Sequence, residues 1–595
     1  MSKDSFDSDS MRHARPLSHA CKFVLDGPLP LERGGAIQQV EVTYETYGRL
    51  SDARDNAVLV CHALSGDSHV AAHDESDDPG WWDTVVGPGK SINTNEYFVI
   101  CSNVLGGCRG TTGPASMDPS TGRPYGRQFP TITIADMVAV QAKLIESLGI
   151  EKLRAVVGGS LGGHQVLQWA ISYPEMVSGA VALGTSARLT SQALAFDVVG
   201  RNAILNDPDF HEGQFYDGGS TPDVGLAIAR MLGHVTYLSR EAMKDKFGHN
   251  RHEPALVATG FEQEFSVGSY LAYKGDKFVD IFDANSYLVL SMAMDLFDLG
   301  DNQQQLVESF SGALCRWLLI SFSSDWLFPA DQSRQIVDSL IAIHKPVSYC
   351  KVTSNCGHDA FLLPQDLPVY GELIKAFLAN IEGSDSDILA LPKTQDQTDR
   401  RRLEYDLIVE VSDPGDSVLD LGSGDGELLA RLARRGHRPV MGLDIDENAI
   451  VVSVRRGLDV IHADLNQGLA CFGENQFDFV LLSRTLQVVQ DVEGLLDDML
   501  RIGRKCIVTF PNFAFRKLRK MLAEEGRAPV SGGVLRYNWY NSPNIRFLSI
   551  ADFEQYCTDR GIVVHRRLTL DTEVGEEVNS DANLNADLAI FVISR

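Results

Sequence analysis

Residues 155–163 read AVVGGSLGG and run straight into HQVLQWAISYP at 164–174. A short β-branched run, a glycine-flanked serine, and helical spacing of Val166, Leu167, Trp169 and Ala170 predict strand, sharp turn, helix. Gly158 and Gly162 flank Ser160 because such a turn strains the backbone and brings strand and helix too close for Cβ atoms. The serine hydroxyl is thereby presented at the top of a sheet, and the Leu161 amide at the helix N-terminus is available to an oxyanion.

Two later segments complete the pattern. SFSSDWLFP puts Asp325 just after the apolar run RWLLISF, and SNCGHDAFL puts His358 in a loop after another strand-like run. The order Ser, Asp, His is that of the α/β-hydrolase fold. The roles follow from the chemistry: His358 takes the Ser160 proton, Asp325 orients His358 and stabilises its cation, and backbone amides receive the negative charge. The second oxyanion amide is expected in VCHALSGDSH, at the N–H of Leu64.

Short apolar runs alternate with helix-like stretches from NAVLVCHAL to PVSYCKV, and the same rhythm restarts with DSVLDLGSG, RPVMGLDID, DVIHADL, FDFVLLS and KCIVTFP. Each half therefore reads as a parallel sheet wrapped by helices. The expected division is 1–380, a Ser, Asp, Gln and Thr-rich linker at 381–401, and 402–595, with a helical cap inserted at about 191–302.

In the second half, SVLDLGSGDG at 417–426 precedes ELLARLARRG, giving a strand, a glycine loop and a helix. Gly422, Gly424 and Gly426 let the backbone approach a ligand at a helix N-terminus. The G-x-G-x-G spacing after Asp420 differs from the dinucleotide fingerprint G-x-G-x-x-G. Asp444 ends the next strand-like run, MGLDID, where a carboxylate can accept both ribose hydroxyls.

At 595 residues the chain is too long for one hydrophobic core. Apolar residues at 44% and charged residues at 22% describe an ordinary globular protein. A net charge of −27 argues against nucleic acid and anionic membranes as partners. The ten cysteines contain no C-x-x-C pair and no zinc-site spacing, so they read as buried free thiols in a reducing compartment, with no metal assigned. No apolar stretch suits a membrane span and the N-terminus lacks a signal-peptide core, which points to the cytoplasm. The Arg516, Lys517, Arg519 and Lys520 cluster reads as a solvated helix face.

The segments HALSGDSHVA, VVGGSLGGHQVLQWA, RMLGHVTYLS and NCGHDAFL resemble the homoserine O-acyltransferase family over about residues 15–380. The resemblance implies a ping-pong reaction in which Ser160 takes an acyl group from acyl-CoA and passes it to the hydroxyl of L-homoserine. It also implies that Arg230 and Asp359 hold the amino acid, an assignment their charges suit. The family uses acetyl-CoA or succinyl-CoA. Leu327 stands two past Asp325, where some succinyl-using relatives carry Arg, and so favours acetyl-CoA; Trp326 resembles the succinyl group, and Arg109 is a further cation for a succinyl tail. A homodimer is expected. Were water to replace homoserine, this half would be a serine esterase.

HADLNQGLACFGENQFDFVLLSRTLQ and FPNFAFRKLR resemble MetW over about residues 402–595, within a Rossmann-like class I methyltransferase fold. The resemblance implies S-adenosylmethionine at the glycine loop, with Asp464 near the adenine amine and Ser423 where a Cys is usual. No acceptor-activating base or metal cluster is visible, so the cofactor serves either methyl transfer or a regulatory role.

Overall fold

The computed structural model describes residues 17–248, 265–381, 398–532 and 534–595. They fall into two compact units, the first running to Ile381 apart from Val347–Cys350, and the second holding those four residues and the chain from Glu382 onward.

In the first unit the strands run in the order Cys21–Val24, Glu41–Tyr47, Phe98–Ser102, Ala57–Cys61, Ala155–Gly159, Gly179–Leu183 and Arg316–Phe322. The first three pair antiparallel and the rest parallel. Strands such as AVLVC, AVVGG and GAVAL are buried at every position, as a sheet covered on both faces requires. Ile134–Ser147 starts on a capping box in which the Thr133 hydroxyl accepts from the Asp136 amide and the Asp136 carboxylate from the Thr133 amide. Between Gly179–Leu183 and Arg316–Phe322 stand the helices Ser191–Leu205, Asp223–Tyr237, Arg240–Phe247, Ser266–Val279 and Ala284–Asp295, in the span where a helical cap is expected.

The second unit orders its strands Asp459–His462, Val440–Asp444, Val418–Leu421, Phe477–Ser483, Gly503–Pro511, Leu588–Ser594 and Val563–Asp571. The first five are parallel, and Leu588–Ser594 is antiparallel to both neighbours. The order reverses beside Val418–Leu421, a switch point that opens a crevice at the strand ends. A core of Val418, Leu428, Phe479, Ile507, Leu588 and Ile590 holds the layers together.

Two expectations are corrected. The linker at 381–401 lies outside the described residues over 382–397, but its last four positions belong to the helix Thr398–Val411. That first turn, TDRR, has no apolar residue to betray it, and a helix's first turn needs none. Of the ten thiols, all free, six are buried, but Cys21 is exposed and Cys108, Cys356 and Cys471 are half-buried. Cys21 lies on an edge strand, which has no neighbouring strand on one side and is exposed at three of its four positions. The basic cluster forms the helix Arg516–Lys520 with Arg516, Lys517, Arg519 and Lys520 all exposed, the solvated helix face expected, and Lys517 pairs with Glu573 at its surface. Among the described residues no helix is long and apolar enough to cross a membrane.

Candidate active site and cofactor site

Ser160 stands between the strand Ala155–Gly159 and the helix Leu161–Ser172 at φ +58°, ψ −125°, a conformation side chains rarely adopt. A Cβ at Gly158 would sit 2.5 Å from the Gly162 carbonyl oxygen, and one at Gly162 would run into the Cys61 carbonyl. The turn is fixed by its own hydrogen bonds: the Ser160 amide donates to Leu183 O at 3.0 Å, and Thr185 Oγ1 donates to Ser160 O at 3.0 Å. The amide of Leu161, first residue of the helix, is one that a helix cannot bond internally.

Asp325 follows the strand Arg316–Phe322, and its Oδ1 accepts from the Leu327 and Phe328 amides at 3.0 and 2.9 Å. Its Oδ2 lies 2.8 Å from His358 Nδ1, with both side chains almost wholly buried. Burial by itself lowers the His358 pKa, but the Asp325 charge and hydrogen bond, aided by Asp359, raise it above the ordinary imidazole value. Gly184, at φ +47°, is the meeting point: a Cβ there would lie 3.3 Å from Asp325 Oδ2 and 3.7 Å from His358 Cε1. The preceding residue, Leu183, is the one that receives the Ser160 amide bond. The Ser160 main chain, the Asp325 carboxylate and the His358 imidazole thus all border the backbone at Leu183 and Gly184. The Phe328 and Phe361 rings flank the imidazole at centroid distances of 5.0 and 5.7 Å.

Ser160 opens into a cavity of about 40 Å³ whose walls include Leu64, Phe196, Asp197, Tyr237 and Leu327. Leu64 and Leu327, both candidates from the sequence, line this cavity. Trp326 is not on these walls: its indole N–H donates to Leu238 O at 3.1 Å and its ring meets Phe196 edge-on. Successive residues of a turn point in different directions, so Leu327 faces the serine and Trp326 does not. Arg109 also stays off the walls and pairs with Asp67 at 3.5 Å.

Arg230 lies on the cap helix Asp223–Tyr237, donates to Ser65 Oγ at 3.2 Å and packs 4.5 Å from the Phe278 ring centroid. Asp359, beside His358, has its pKa raised by burial, with His358, Arg230 and Lys274 pulling it back. The expected pair therefore shares one electrostatic neighbourhood. Asp197 is a residue the sequence reading missed. Burial and the neighbouring Asp295 push its carboxyl well above the usual range, against Arg201, which bonds Asp295 at 2.5 Å. The available signal was an acid between Phe196 and Val198 in an otherwise apolar turn of helix.

In the second unit the three loop glycines all have positive φ but different neighbours. A Cβ at Gly422 would strike the Thr485 side chain and one at Gly426 would stand 2.5 Å from Leu458, whereas Gly424 has open space around it. The Gly424 amide donates to Asp444 Oδ2 at 2.7 Å, and the Asp446 amide to Asp444 Oδ1 at 2.9 Å. Asp420 is buried, and burial, with Asp444 and Glu404 nearby, pushes it up to about 7. Its Oδ1 has no hydrogen-bond partner among the described residues. An open glycine, a strand-end carboxylate and an unpaired buried oxygen fit a nucleoside cofactor bearing an ammonium group. Asp464 acts as a cap, its Oδ1 accepting from the Asn466 amide at 3.0 Å.

Fold and geometry define the chain as an α/β-hydrolase-fold unit with a serine elbow, joined to a Rossmann-like unit with a glycine loop. The alpha/beta hydrolase fold family matches residues 56–364, and the family described as "Methionine biosynthesis protein MetW" matches residues 402–593. The "Bifunctional methionine biosynthesis protein MetXA/MetW" of Rhodopirellula baltica is 49% identical over 100% of this chain and 96% of its own length. The "Homoserine O-succinyltransferase" of Alkalilimnicola ehrlichii is 49% identical over 61% of this chain and 94% of its own. The crystal structure of "homoserine O-acetyltransferase from Bacillus anthracis" superposes with a TM-score of 0.54 and 30% identity, covering 60% of this chain and 97% of that one. The chain belongs to the family of bifunctional MetXA/MetW methionine biosynthesis proteins.

Proposed function

We propose that the first unit transfers an acetyl group from acetyl-CoA to the side-chain hydroxyl of L-homoserine through an acyl-Ser160 ester. His358 Nε2 takes the Ser160 proton as Oγ attacks the thioester carbon, and the Leu64 and Leu161 amides receive the oxyanion. The carbonyl re-forms as the carbon–sulfur bond breaks, and the imidazolium returns its proton to the CoA sulfur. Homoserine then enters, gives its hydroxyl proton to His358, attacks the ester and leaves acetylated, while Ser160 recovers its proton. The carboxylate of the amino acid is gripped by Arg230 and its ammonium by Asp359. The observation that carries this reading is the buried Asp325–His358 bond meeting Ser160 at Leu183 and Gly184.

The choice of acetyl over succinyl rests on the cavity wall. Among the described residues that line it there is no Lys, Arg or His, and a carboxyl, Asp197, is there. A succinyl carboxylate buried on this wall would face Asp197 and would have to compete with homoserine for Arg230, which packs against Tyr237. Mass spectrometry after brief exposure to each thioester tests donor and nucleophile together: an acetyl group on the Ser160 peptide is expected, and labelling by succinyl-CoA alone, or at another residue, overturns the assignment. Continued CoA release beyond one equivalent per chain in the absence of homoserine would favour an esterase instead.

The second unit, in this reading, binds S-adenosylmethionine. Asp444 holds the ribose hydroxyls, Gly424 admits the ligand to the loop, and Asp420 stands near its charged end. The group supplies a methyl to an acceptor or reports methionine supply, and a calorimetric titration followed by a methyl-transfer assay distinguishes these. The chain works as a cytoplasmic homodimer, which light scattering of the purified protein tests.

A further inference from the structure

We infer that Glu45, His69 and His73 form a binding site for one divalent transition-metal ion of the zinc class, apart from the Ser160 cavity. Glu45 lies on the strand Glu41–Tyr47 and is fully buried. Its Oε2 is 2.9 Å from His69 Nδ1 and 2.9 Å from His73 Nε2, and the three ligand atoms lie within 4.8 Å of one another. Two imidazole nitrogens and a carboxylate oxygen, each about 2.0–2.2 Å from a shared ion, would stand roughly 3 Å or slightly more apart, so a small adjustment suffices.

The surroundings are those of a ligand set rather than of an ordinary ion pair. His69 Nε2 lies 2.7 Å from Asp78 O, so that nitrogen donates and orients the ring with Nδ1 toward Glu45. Tyr47 donates its hydroxyl to Glu45 Oε2 at 2.8 Å, and its ring stacks on His73 at 4.3 Å. Both liganding rings and the carboxylate are thus held from behind. Meanwhile Glu45 Oε1 is buried with no hydrogen-bond partner among the described residues. One carboxylate oxygen meets three donors while its twin has none, an imbalance a cation approaching the carboxylate would relieve.

The His69 and His73 side chains keep 11% and 18% of their exposure, which leaves an entry path and room for a further ligand. Other charged or titratable groups facing it among the described residues are Asp77, 4.0 Å from His69 Nε2, His19, stacked on His73 at 4.2 Å, and Asp83 and Cys101, which interact electrostatically with His69 and Glu45. The two histidines belong to the segment after Cys61 that also carries Leu64 and Ser65, the partner of Arg230, so an ion here would pin that segment to the Glu41–Tyr47 strand.

The test uses the tag-free full-length protein, stripped with a chelator and titrated with Co²⁺ and Zn²⁺. Expected are one Co²⁺ per chain with a visible d–d band that Zn²⁺ abolishes, and a Tm raised by Zn²⁺. His73→Ala, at a partly exposed position, should fold normally by circular dichroism and lose roughly 100-fold or more in affinity. Glu45→Gln is the second variant and should weaken binding likewise. Absence of a stoichiometric band in the wild type, or equal affinity in wild type and folded His73→Ala, overturns the site. A Tm that responds to pH but not to Zn²⁺ also overturns it and leaves only a hydrogen-bonded ion cluster.

Discussion

Replacing Asp325 by Asn changes the charge of the relay while leaving its scaffold in place. The Asn Oδ1 can still accept from the Leu327 and Phe328 amides, now bonded at 3.0 and 2.9 Å, so the turn survives. The amide NH₂ then faces His358 Nδ1, where the carboxylate oxygen stood at 2.8 Å. A donor at that place forces Nδ1 to accept, which moves the imidazole proton to Nε2, the nitrogen that must take the Ser160 proton. Loss of the correct tautomer in such relays costs about 10⁴-fold, or about 5.5 kcal/mol of barrier. The pH profile gives an independent reading. Asp325 raises the His358 pKa against burial, so the acidic limb of enzyme acylation lies above the ordinary imidazole range in the wild type. Without that charge burial remains, and the limb moves to lower pH. Single-turnover release of CoA as a function of pH measures both effects. A folded variant that keeps more than a tenth of the wild-type acylation rate would refute the reasoning, as would an unmoved acidic limb.

Three further outcomes are expected. Leu327→Arg adds a cation to a wall that has none, and should raise the preference for succinyl-CoA over acetyl-CoA by roughly 10-fold or more; competition between the two thioesters reads the ratio, and no change would count against the donor argument. Arg230→Ala should raise the homoserine KM about 10- to 100-fold with the rate of enzyme acylation preserved, so an unchanged KM removes its role. Asp444→Ala should weaken S-adenosylmethionine binding by roughly 10-fold or more in calorimetry, and undiminished affinity would reject the ribose contact.

The parts of the site that could be read from the sequence are those whose meaning is local. The elbow at Ser160 is a strand, a turn and a helix in consecutive residues, and Asp325 and His358 each end a recognisable apolar run. The glycine loop and Asp444 were readable for the same reason. What was not readable depends on chain segments meeting in space. Asp197 and Asp295 come from different cap helices, and the spacing within each says nothing of the other. Glu45 is separated by most of a strand and loop from His69 and His73; the H-x₃-H spacing of the two histidines was a usable signal, but only the fold supplies the third ligand. Trp326 and Leu327 are neighbours in the chain yet serve different faces of their turn. Asp464 follows a strand as a ligand residue should, but its oxygen is committed to the next turn of backbone.

Gly184 offers no side chain to the reaction, yet the relay depends on its emptiness. A methyl group there would press on Asp325 Oδ2 at 3.3 Å and touch the imidazole at 3.7 Å, on a backbone already in a left-handed conformation that side chains rarely adopt. Such a chain would retain all three reactive side chains with the carboxylate pushed and the turn strained. A related sequence with an intact serine, aspartate and histidine but a bulkier residue at this position should therefore be regarded as a silenced copy, whatever its motifs spell.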